Sequence, residues 1–213
     1  MSVTAPTPHT SPPLSFYGPT PEGFPPLARL SVQQYEAMID AGLFSQDDRF
    51  ELIEGTLVQK MTKKRKHSTG SEKSRRAIER ALPVGWHVEM EKPVRIPARD
   101  SMPEPDLSVV RGEIDDYEDI DPGPEDLSLV VEVSDTTVQA DRAMAATYIG
   151  GGIPFYWLVN VRDRQLEVYT SGTGASAPII LAQNETAELV IAGQIVGHIA
   201  VADLLPRPPA VSG

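Results

Sequence analysis

Two carboxylates stand where hydrophobicity alone would not put them. Glu132 is the only charged residue in the apolar run from Leu127 to Val133. Such a run suits a central strand covered on both faces. A carboxylate inside it costs several kcal/mol unless it is paired, protonated or bound to a metal. Asp106 opens the preceding predicted strand directly after Pro105, where that strand would enter the core. If the two strands are neighbours, both carboxylates converge at one end of the sheet, and we expect them at the sheet's edge rather than its middle. Two hard oxygen ligands with waters and a phosphate make a magnesium or manganese site. Such an ion polarises a phosphoryl oxygen and helps ionise a water. At this level two plainer accounts weigh as much: Asp106 satisfied by backbone amides, and Glu132 paired with a lysine or arginine.

The elements that must hold these residues can be read from periodicity and punctuation. Ser31 reads as the N-cap of a helix through Asp40, with Tyr35, Met38 and Ile39 inward and Gly42 ending it. Phe50 to Ile53 and Thr56 to Met61 form a hairpin around Glu54-Gly55. Lys63 to Lys66 reads as a basic loop, followed by a helix from His67 to Leu82. Strands are expected at Trp86 to Met90, Val94 to Ile96, Leu107 to Val110 and Leu127 to Val133. Glu113 to Asp126 holds 8 acidic residues and reads as a surface loop, since it lacks the ligand alternation of a calcium loop. A helix from Thr137 to Tyr148 ends at three glycines, and Phe155 to Val159 with Gln165 to Tyr169 forms a hairpin. Short strands follow near Ile179–Leu181, Leu189–Ile191 and Ile195–Ile199. The series is mixed α/β with an antiparallel tendency, not a doubly wound repeat.

Composition narrows the chemistry further. The 213 residues suffice for one sizeable core, expected over residues 28–205. Residues 1–27 hold 8 of the 20 prolines and read as a flexible arm, and residues 206–213 as a short tail. With no cysteine, disulfides and thiolate metal sites are excluded, and the four histidines show no zinc spacing. No apolar run approaches the roughly 20 residues of a membrane helix. No basic stretch followed by an apolar one opens the chain. The expectation is a cytoplasmic protein without a membrane partner. The net charge of −11 hides an asymmetry: Lys60 to Arg99 carries 12 Lys and Arg against 4 Glu. That band could meet a phosphate backbone through Lys73, Arg76 and Arg80 on one helix face, or be only a solvated surface. Phe16, Tyr17 and Phe24 in the arm suggest a covered surface and hence a homodimer.

The ordered set Phe50-Glu51-Leu52-Ile53-Glu54-Gly55, His67, Pro105-Asp106, Leu129-Val130-Val131-Glu132-Val133-Ser134, Asp141-Arg142 with Tyr148, Gly152 to Val159 and Leu166 to Tyr169 resembles one family. It is similar to the Uma-type restriction endonuclease family of the PD-(D/E)xK nuclease superfamily, over roughly residues 28 to 200. The resemblance implies a restriction-endonuclease-like mixed central sheet flanked by helices, with extra antiparallel hairpins. It implies a metal-dependent endonuclease that hydrolyses DNA phosphodiester bonds with magnesium or manganese. The metal would sit on Asp106, Glu132 and the backbone carbonyl of Val133. Glu51 would bind metal through water, and His67 would orient substrate or a ligand.

One departure from the pattern stands out. The superfamily places a lysine near the second carboxylate, where it stabilises developing negative charge. Position 134 is serine, and the alternative helix positions are Met144 and Ala145. Arg142 is the nearest cation in sequence and is expected to act as an electrostatic clamp. Lys60 and Lys92 are the outside candidates. Without a cation the chain would be a weakened nuclease-fold protein that binds nucleic acid or protein.

Overall fold

The computed structural model describes residues 15–16, 28–44, 48–60, 65–172 and 174–208. Most of the arm, including Tyr17 and Phe24, lies outside the described residues, as do Lys63, Lys64 and the end of the tail. Within the arm, β1 (Ser15–Phe16) pairs with β2 (Ala28–Arg29).

Ser31 caps α1 (Val32–Asp40) through a capping box with Gln34, as expected. Val32 and Tyr35 are its inward residues. Ile39 is not: in the last turn it is 45% exposed. β3 (Phe50–Ile53) and β4 (Thr56–Gln59) form a separate hairpin. Glu54 and Gly55 both have positive φ, +47° and +73°, the backbone that a two-residue turn of the right twist requires. The hairpin is docked by a bridge between Leu52 and Met102 and by the Glu54 side chain, which takes hydrogen bonds from Arg99 and Thr147.

The central sheet has six strands. β5 (Trp86–Met90), β6 (Leu107–Arg111) and β7 (Leu127–Ser134) run as an antiparallel meander. α3 (Val138–Gly150) then crosses over to β8 (Phe155–Asn160), which lies parallel to β7. β9 (Gln165–Thr170) and β10 (Gly174–Ala182) continue antiparallel to the far edge. The spatial order is β10-β9-β8-β7-β6-β5. Val94 to Ile96 is not a strand. Its apolar side chains are buried, but Val94 and Ile96 turn their amides onto Pro103 and Ser101, and Arg95 onto Pro122. Pro93 and Pro97 flank the segment and remove the donors a ladder needs.

Both faces of the sheet are covered, which is why β7 reads as almost unbroken hydrophobic sequence. On one face Leu129, Val131 and Val133 pack with Ile78 of α2 (Arg65–Glu79). That layer is completed by the hairpin β11 (Thr186–Ile191) and β12 (Gln194–Ala200) and by α4 (Val201–Leu204). On the other face Val130, Leu158 and Tyr156 pack with Ala145 and Tyr148 of α3. α2 lies close on β7 at Gly70, where an added Cβ would stand 2.7 Å from Val133 Cγ1. Gly70→Ala is therefore expected to lower stability by about 1–3 kcal/mol, the usual cost of overpacking. Urea unfolding measures this, and an unchanged midpoint would mean that the α2–β7 contact has slack.

Several described residues of the basic band are committed to partners. Lys73 Nζ donates to the carbonyls of Leu205 at 2.6 Å and Ala202 at 3.2 Å. Arg76 pairs with Glu72, and Arg75 bridges Glu72 and Glu79. Of the expected face of Lys73, Arg76 and Arg80, Arg76 is thus paired with a carboxylate one turn away and Lys73 is turned onto carbonyls at the end of α4.

Candidate active site

β6 and β7 are antiparallel with Leu107 opposite Val131, so the next step along the ladder sets Asp106 against Glu132. The Asp106 N–H donates to Glu132 Oε2 at 3.3 Å, which places the two acidic residues together. They meet between two interior strands, at the strand ends, rather than at a sheet edge.

Each carboxylate is held from a different side. Asp106 is completely buried. Its Oδ2 accepts the Val133 N–H at 2.7 Å and lies 2.8 Å from His67 Nε2 on α2. His67 Nδ1 faces Ser71 Oγ at 3.5 Å, so Nε2 is the nitrogen that addresses Asp106. Glu132 Oε1 accepts the hydroxyl of Tyr148 on α3 at 3.0 Å. Tyr148 is itself fully buried. Asp141, one turn into α3, accepts the Thr137 hydroxyl at 2.6 Å.

The docked hairpin closes the third side. Lys60, just past β4, lies 3.2 Å from Glu51 Oε1 and pairs with Glu104. Glu51 Oε1 also accepts the Glu104 N–H at 3.3 Å. These groups line one cleft of about 380 Å³ with Asp106, Glu132, His67 and Asp141. Among the described lining residues Lys60 is the sole lysine or arginine, against six Asp and Glu.

The electrostatics follow from that imbalance. Burial raises the Glu132 carboxyl well above the usual carboxylate range, and Asp106, Asp141 and Glu51 add to the rise while the Tyr148 hydroxyl opposes it. Burial likewise raises Glu51 against the pull of Lys60, and raises Asp141 against hydrogen bonds from Ser134 and Thr137. The donor set consists of hard oxygens short of positive charge, which fits magnesium or manganese. Among the described residues no group of three or more His, Asp or Glu side chains forms a ready cage. An ion that takes one or two carboxylates and keeps its waters does not need one.

The family model described as "Putative restriction endonuclease", Uma2, matches residues 32–201. The chain belongs to the Uma2 family. Among solved structures, a "putative nuclease belonging to DUF820" from Anabaena variabilis is similar with a TM-score of 0.59 and 16% identity. The match covers 82% of this chain and 97% of that one, and it shows a shared fold. No curated protein matches the chain.

Of the residues expected from the Uma2 pattern, Asp106, Glu132, Val133, Glu51 and His67 all line the cleft. Arg142 does not. It turns to the far side of α3 and forms a two-pronged pair with the buried Glu167, at 2.9 and 2.7 Å. Although burial raises Glu167, hydrogen bonds from Arg142, Asn160, Gln165 and Tyr169 hold it at about 2. An arginine so engaged is not an electrostatic clamp for a substrate in the cleft. Met144 packs against the apolar layer under α3, and Lys92 is exposed outside the cleft. Sequence reasoning passed over Glu104 as a partner for Lys60. The signal was its place two residues before Asp106 in the same proline-rich approach. No helix among the described residues is long and apolar enough to cross a membrane.

Proposed function

We propose that this Uma2 family member is a metal-dependent endonuclease that hydrolyses DNA phosphodiester bonds in the cleft between α2, α3 and the β3–β4 hairpin. The observation that carries the reading is the meeting of Asp106 and Glu132 at the ends of two paired interior strands. Asp106 and Glu132 would hold magnesium or manganese, with the Val133 carbonyl as the third expected ligand. When bound, the ion supplies charge that offsets the negative charge developing on the phosphoryl oxygens. The chain's own groups prepare the site for it. The Val133 N–H and His67 fix the Asp106 carboxylate, and Tyr148 fixes Glu132.

Incubation of the purified chain with linear and supercoiled DNA, with magnesium or manganese and with a chelator, tests the reading. Nicks or breaks that need the ion support it. DNA binding without cleavage at any ion concentration would instead favour a nuclease-fold protein that only binds. Tyr148→Phe addresses the support of the site. Partners that orient metal ligands are worth about 10–100-fold in metal affinity, and a loss of that order is expected by calorimetric titration. Unchanged affinity would mean that Glu132 is oriented without the hydroxyl.

A further inference from the structure

We infer that Lys60 is the catalytic cation of this site, supplied by the β3–β4 hairpin in place of a lysine on the sheet or on α3. This rests on the nuclease reading above. The cleft is lined by six acidic side chains, and a phosphodiester brings more negative charge into it. Among the described residues one lysine faces that space, Lys60, and its side chain is only 10% exposed. The other cations that sequence spacing offers are spent or distant. Arg142 is bound to Glu167, and Lys92 lies outside the cleft. Ser134 and Met144 carry no charge.

The ammonium is placed rather than floating. Glu51 and Glu104 take it from two directions, and a lysine has three donors, more than these two carboxylates require. The hairpin that carries it is fixed to the body by the Leu52–Met102 bridge, by the Glu54 amide on Ser101 Oγ at 2.8 Å, and by the Arg99–Glu54 pair at 2.9 Å. A fixed charge at the reacting centre acts without reorganising during the reaction. The water oxygen bonds to phosphorus, the bond from phosphorus to the leaving sugar oxygen breaks, and one proton of that water ends on the leaving oxygen. Lys60 takes no part in the proton transfer and faces the phosphoryl oxygens that carry the developing charge.

The test uses the full chain with Lys60→Met and Lys60→Arg. Lys60→Met is expected to lower cleavage about 10²–10³-fold, the usual loss for one such group. Its divalent-cation affinity should be kept or tightened, because a positive charge beside the carboxylates has been removed. A merely structural Lys60 would lose ion binding along with cleavage, and that result overturns the inference. Lys60→Arg keeps the charge and should cleave at least about tenfold faster than Lys60→Met. Equal rates in the two variants, or wild-type cleavage in Lys60→Met, also overturn it. If the wild-type chain proves unable to cleave, binding of a short DNA duplex in calcium reads Lys60 separately. Weaker binding by Lys60→Met then supports Lys60 as the cation that meets the phosphate, while its catalytic role is overturned together with the hydrolysis reading. Equal binding, or none by the wild type, overturns it.

Discussion

Asp106→Asn is expected to reduce ion-dependent DNA cleavage by about 100-fold or more, with the fold intact. Loss of a residue that merely orients a ligand costs about 10–100-fold in metal affinity, so neutralising a direct ligand should cost at least the upper end. Asparagine is the informative change. Its side-chain oxygen can still accept the Val133 N–H that Oδ2 accepts at 2.7 Å. Alanine would instead strand the buried Val133 N–H and leave the half-buried His67 without Asp106, at about 1–3 kcal/mol for a lost partner. Inactivity would then say little about chemistry. Near-ultraviolet circular dichroism checks the fold, and the ion titration is read beside the cleavage rate. An Asp106→Asn chain that cleaves within tenfold of wild type would remove Asp106 from the chemistry.

Glu132→Gln should make the ion-free chain more stable at pH 8 while removing its response to divalent ions. Burial and the neighbouring Asp106 raise the Glu132 carboxyl well above its ordinary 4.5. A carboxyl so raised holds its proton in the folded state after it has lost it in the unfolded one. By linkage, its stabilising contribution is complete below the unfolded value and is lost as pH rises through the folded value. Glu51 and Asp141 are raised too and add the same slope. The wild-type melting temperature should therefore fall as pH climbs from about 4.5, and fall less in Glu132→Gln. Each tenfold difference in proton affinity between the folded and unfolded chain corresponds to about 1.4 kcal/mol. For a chain of this size about 1 kcal/mol moves the midpoint by roughly 2–4 °C, and the midpoint of Glu132→Gln at pH 8 is expected to lie above that of the wild type. Excess magnesium or manganese should raise the wild-type midpoint, by about 2.7 kcal/mol at 100 times the dissociation constant, and leave the variant unmoved. A variant less stable than wild type at pH 8 would show that ionised Glu132 stabilises the ion-free fold.

The stability held back at Glu132 and the activity it would serve are one arrangement seen twice. Two carboxyl groups placed this close do not both ionise readily until a cation arrives. The protein tolerates this because both faces of the sheet around them are densely packed.

Much of this was legible in the sequence, for local reasons. Caps, turns and hydrophobic periods are set by near neighbours, so α1, the β3–β4 hairpin, β7, α3 and the β8–β9 hairpin fall close to where the sequence predicts them. Glu132 announces itself because a charge breaks an apolar run, and Asp106 because a proline places it at a strand entrance. The segment from Val94 to Ile96 misleads for the opposite reason: burial of its side chains resembles a strand, while its prolines deny it a ladder. What the sequence leaves open is which distant charges meet. Arg142 stands next to Asp141 in the chain, yet the turn of α3 sends one side chain to Glu167 and the other to the cleft. Lys73 looks available for DNA until α4 brings its terminal carbonyls to it. Lys60 lies on a hairpin outside the central sheet, and only the docking of that hairpin carries its ammonium to Glu104 and the cleft of Asp106. Side-chain type and local order are written along the chain, whereas the pairing of charges depends on which faces pack together, and that exists only in the folded molecule.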